Sequence, residues 1–201
     1  LTGTTNLADY IDIQDNYTTG VISASIQSRT YAQLTAETTA GTKDIVSGND
    51  LKFTVSDTTL TTAQLTELNS MTTGTIDLVG DNAAVTITGT AADIRTIFDA
   101  KVADGGNGFL TSGLVDAVAT VSDTNVSAAD LIAIKAVVTG NNQIDISNAT
   151  RITGLLADVN TILADAGTDF VGEGAEAITV TDATVSASAL ATLLANGAGP
   201  T

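Results

Sequence analysis

The chain has 201 residues, 7 basic against 23 acidic side chains, a net charge of −16, and neither cysteine nor histidine. The missing residue types exclude disulfides, Cys/His zinc sites, cysteine nucleophiles and histidine-based triads. The charge argues against a nucleic-acid-binding face, which needs clustered Lys and Arg, and against attraction to anionic membranes.

Residues 1–45 contain two helix starts, marked by Leu7 and Leu34, and a strand candidate at residues 20–24. All three tyrosines, Tyr10, Tyr17 and Tyr31, lie here. This stretch is expected to be an atypical N-terminal cap or interaction end, because terminal repeats must cover an exposed core. The tyrosines are the candidate ligand or interface residues, as a sugar-stacking patch, although core or cap positions explain them as well.

From residue 46 to 197 the pattern becomes regular. Short alternating β-branched segments at 53–55, 85–87, 118–121, 151–152 and 178–180 read as strands. Further strand candidates occur at 74–78 and 143–146, and residues 101–113, rich in glycine, read as a wide surface loop. Each strand is followed by an apolar residue opening an i, i+3, i+4 pattern, which marks a short helix. The markers are Leu7, Leu34, Leu65, Ile94, Leu131, Val159 and Leu190, separated by 27, 31, 29, 37, 28 and 31 residues. Thr61-x-x-Gln64, Thr90-x-x-Asp93 and Ser127-x-x-Asp130 supply N-cap signals. Residues 198–201 read as a linker or terminus. No apolar run is long enough for a membrane-spanning helix. The chain opens on Leu1, as expected of a processed protein or a segment of a longer one.

Two phrases alternate. One is Val55-Ser-Asp-Thr-Thr-Leu-Thr-Thr-Ala-Gln-Leu65, with counterparts at Val121–Leu131 and Val180–Leu190; the other is Ile87-Thr-Gly-Thr-Ala-Ala-Asp-Ile94, with a counterpart at Ile152–Val159. A strand joined through a helix to the next strand runs parallel to it. The expected fold is therefore α/β, a solenoid of about seven strand-turn-helix units of roughly 30 residues with a parallel sheet, like a leucine-rich repeat in architecture though not in consensus.

The recurring Asp57, Asp123 and Asp182 raise the question of a metal ladder. The simpler expectation is that each Asp, or its Ser neighbour, closes the strand-to-helix turn on local amides. Asp165, Asp169 and Glu173 share one loop and are the candidate Ca²⁺ ligands, since Ca²⁺ takes hard oxygens. Their spacing matches neither an EF-hand nor a calcium-binding nonapeptide, so a solvated loop is the plainer reading. No cofactor is expected, calcium being the one ion these acids would suit.

The two phrases resemble the repeat arrays of very large secreted or surface proteins of bacteria, notably cyanobacteria, closely over residues 51–198 and more loosely over 1–50. The resemblance is one of repeat style and carries no catalytic residues. It implies an extracellular or cell-surface protein of structural or adhesive type. The expected function is thus non-enzymatic: part of a surface layer, fibre or adhesin stalk, joined end to end with further copies or with neighbouring repeats of a longer chain. The alternative is an adhesion module that binds a carbohydrate or protein ligand, with or without calcium as a stabiliser.

Overall fold

The computed structural model describes residues 4–16, 21–39, 49–79, 84–103, 106–138, 144–173 and 176–196. The elements begin with β1 (Thr4–Thr5), α1 (Leu7–Asn16), β2 (Ser23–Ile26), α2 (Tyr31–Thr39), β3 (Asp50–Val55), β4 (Thr59–Thr61) and α3 (Thr62–Ser70). Next come β5 (Thr75–Leu78), β6 (Thr86–Gly89), α4 (Ala91–Asp99), β7 (Lys101–Val102), β8 (Gly108–Leu110), α5 (Thr111–Val115) and β9 (Val118–Val121). The remainder are β10 (Asn125–Ser127), α6 (Ala128–Lys135), β11 (Ile144–Asp145), β12 (Arg151–Gly154), α7 (Leu156–Ala164), β13 (Phe170–Val171), β14 (Ala177–Val180) and α8 (Ala187–Asn196). The fold is mixed α/β, with three parallel sheets and eight helices among the described residues.

These residues form two compact units, Leu1–Val85 with Asp99–Val115, and Thr86–Phe98 with Asp116–Thr201. In the first, the strand order is β1-β2-β3-β5-β8-β7. Strand β3 shows how the sequence makes the sheet: Leu51, Phe53 and Val55 are buried while Lys52 faces outward, the two-residue period of a strand with one core face. Leu65 and Leu68 of α3 are buried, which gives that helix its apolar stripe. At its N-terminus Thr61 and Gln64 form the reciprocal capping box that their spacing predicts.

In the second unit, β10-β12-β14 form one sheet, and β6, β9, β11 and β13 lie side by side in another. Register repeats closely: Asn125 pairs with Arg151, and Arg151 with Ala177, an offset of 26 residues each time. The apolar residue at the centre of each strand therefore stacks on its counterpart, Val126 beside Ile152 beside Ile178. Helices α6, α7 and α8 pack in the same succession.

Two features differ from the sequence reading. Residues 101–113 are not simply a surface loop: they contain β7, β8 and the start of α5, and β8 pairs with β5. Phe109 drives this, being fully buried, and Gly108 permits it. Its φ is +145° and a Cβ there would lie 2.1 Å from the carbonyl oxygen of Ala100, so only glycine fits. Secondly, the Ser-Asp phrase is, in its first two copies, a strand, a turn and a second strand before its helix. Leu60 in β4 and Val126 in β10 are buried between outward-facing polar neighbours, which is strand alternation in three residues.

Candidate functional site

The recurring acids of the Ser-Asp phrase do not bond the local amides that the sequence reading assigns to them. Asp57 Oδ2 accepts from the backbone N–H of Tyr31 at 2.6 Å, Asp123 Oδ2 from that of Ala91 at 2.6 Å, and Asp182 Oδ2 from that of Leu156 at 2.7 Å. Those three amides belong to the first residues of α2, α4 and α7. The cause lies in strand register. β2 pairs with β3, β6 with β9, and β12 with β14. In each pair the first strand runs into a helix while its neighbour runs into the Ser/Thr-Asp turn, which brings the carboxylate to the helix start.

First-turn N–H groups have no partner within their own helix, and the helix dipole favours an anion there. Helix α7 depends on this most, because Leu155 at its N-cap makes no side-chain cap bond. The three acids are thus each committed to a different helix end.

Of the calcium candidates, Asp165 and Asp169 meet at one cation of the protein itself. Lys135 Nζ on α6 bonds the Asp165 carboxylate and lies 2.9 Å from Asp169 Oδ2. The two carboxylates raise the Lys135 pKa, Asp165 first, so the ammonium form is favoured. Among the described residues, no group of three or more acids is placed to hold a metal ion.

Glu173 has a different environment. Its Oε1 is buried without a hydrogen-bond partner, and desolvation pushes its pKa up. An acid whose pKa is raised on folding is a burden above that pKa, and the burden is relieved as pH falls towards the unfolded carboxylate range. Glu173→Gln is therefore expected to raise the melting temperature at pH 7, with the gain shrinking as the pH is lowered through the carboxylate range. Thermal melts at a series of pH values check this; a loss of stability at pH 7 would contradict it.

Tyr10 and Tyr31 do not share one exposed patch. Tyr10 is fully buried in α1, with its hydroxyl unpartnered and its pKa pushed up to about 12 by burial, so its ring is not offered to a ligand from solvent. Tyr31 donates its hydroxyl to Glu67 on α3 at 2.6 Å, a bond that raises the phenol pKa. Tyr17 lies outside the described residues. A comparable tie in the second unit joins Arg95 of α4 to Asp130 of α6 at 2.9 Å. Such exposed pairs are worth about 0–1 kcal/mol each.

Comparison with protein-family models, with characterised protein sequences and with solved structures finds no match for this chain.

Proposed function

We propose that this protein is a non-enzymatic structural element, a solenoid-like stack of strand–helix coils that belongs to an extracellular assembly such as a surface layer, fibre or stalk. One observation carries the reading: the chemistry that recurs along the chain holds neighbouring strand–helix segments together. The three repeated acids each cap the helix of an adjacent segment. A hydroxyl bond likewise joins α2 to α3, and ion pairs join α4 to α6 and α6 to the residue that ends α7. Such ties suit a repeat architecture, in which each unit contacts only its neighbours and stability sums along the stack. A charge of −16 suits an exposed, solvated surface.

The test is protease treatment of intact cells of the source organism. Peptides from this chain should be released into the supernatant together with those of other surface proteins. Release only after lysis would remove the extracellular assignment.

A further inference from the structure

The third copy of the Ser-Asp phrase lacks something that the first two have. Aligned without gaps, Thr184-Val185-Ser186 occupies the place of Thr59-Leu60-Thr61 and Asn125-Val126-Ser127. The earlier copies are the strands β4 and β10, and β10 pairs in parallel with β12. Residues 184–186 form no strand.

Burial follows the same division. Leu60 and Val126 are 1% exposed, whereas Val185 is 41% exposed. Leu65 and Leu131 are 0% exposed, whereas Leu190, at the same place in the phrase, is 46% exposed. Leu194, one turn further along α8, stands 58% exposed. Ala128 is fully buried and its counterpart Ala187 is exposed. The far edge of β14 has no partner strand among the described residues, although its counterpart β9 is paired on both sides. An open strand edge beside an exposed apolar helix face is a template for another strand–helix segment.

The molecule's own second copy of this surface shows what covers it. On β10 and α6 the cover is the β12–α7 segment, Arg151-Ile-Thr-Gly154 followed by its helix, with Val126 opposite Ile152 and Ser127 opposite Thr153. The carbonyl of Thr124 accepts from the amides of Thr150 and Arg151, fixing the register. Gly154 is required by closeness, because a Cβ there would lie 2.5 Å from the Cβ of Ala128.

We propose that the surface formed by β14, residues 184–186 and α8 is a docking site for a strand–helix segment of the Ile-Thr-Gly type. That segment adds in parallel, with its Ile opposite Val185, its Thr opposite Ser186, its Gly against Ala187 and its helix over Leu190 and Leu194. The assignment rests on the stacked-coil reading above and names the partner chemistry of that stack's open end. The alternation of the two phrases supports it, since an Ile-Thr-Gly phrase follows the Ser-Asp phrase at residues 87–94 and again at 152–159.

The test extends the chain after Leu194, the counterpart of Lys135, with a copy of residues 136–169. A control extension carries Ile152→Asp and Gly154→Val within the copied segment. Hydrogen exchange is followed at residues 177–180 and 184–186. In the extended chain exchange at 184–186 should slow by at least roughly tenfold relative to the parent, and in the control it should not. Unchanged exchange in the extended chain overturns the proposal. So does a concentration-dependent slowing in the parent that Leu190→Asp with Leu194→Asp abolishes, because a second copy would then be the occupant. This outcome is independent of where the protein resides, so it fails or succeeds separately from the surface-shaving experiment.

Discussion

Truncating Leu131 to Ala is expected to lower the unfolding free energy by about 2–5 kcal/mol, the range for deleting a buried leucine and leaving a cavity. The same change at Leu190 is expected to cost less than about 1 kcal/mol, as at a position largely in water. The two leucines hold the same place in the same phrase, yet one is fully buried and the other stands half-exposed on α8. Packing of α7 over α6 makes the difference. Urea unfolding of the two variants measures it directly. Equal losses at the two positions would contradict the burial pattern on which the docking surface depends.

The second large effect concerns the carboxylates at the helix starts. Replacing Asp57, Asp123 and Asp182 together by Ala removes the acceptor at the first amides of α2, α4 and α7. Loss of an N-cap acceptor costs about 0.5–2 kcal/mol, and three of them serving separate helices should sum to roughly 2–5 kcal/mol. The triple Asp→Asn variant should lose less, because the amide oxygen still accepts while the charge facing the helix dipole is gone. The single Asp182→Ala change should be the most damaging of the three, since Leu155 offers no side-chain oxygen in its place. A triple variant as stable as the wild type would show that these bonds contribute nothing.

The parallel strands and most of the helices are legible in the sequence because their signals are local. Alternation at 53–55 marks the end of β3, and Thr61 with Gln64 marks the start of α3, each within one short window. What could not be read depends on distance along the chain. The partner of Asp57 lies 26 residues upstream and that of Asp123 lies 32, so neither is visible until strand register has been set. Asp165 looks like a free carboxylate in its loop, but Lys135 is 30 residues away and next to it in space. Strand β8 was hidden by glycines on its flank, with only Phe109 to report a buried segment. The unequal fates of Val126 and Val185 are beyond any reading of the phrase itself. Their sequence surroundings match, and burial is decided by whether another segment lies beside them.

Whether the repeated acids bind one strand–helix segment to the next is decided by amide hydrogen exchange in the single Asp→Ala variants. Faster exchange is expected at Tyr31 in Asp57→Ala, at Ala91 in Asp123→Ala and at Leu156 in Asp182→Ala, with the amides of the mutated turns little changed. Exchange that instead quickens within residues 58–60, 124–126 and 183–185, leaving the three helix-start amides unaffected, would show that the acids act locally and would contradict that expectation.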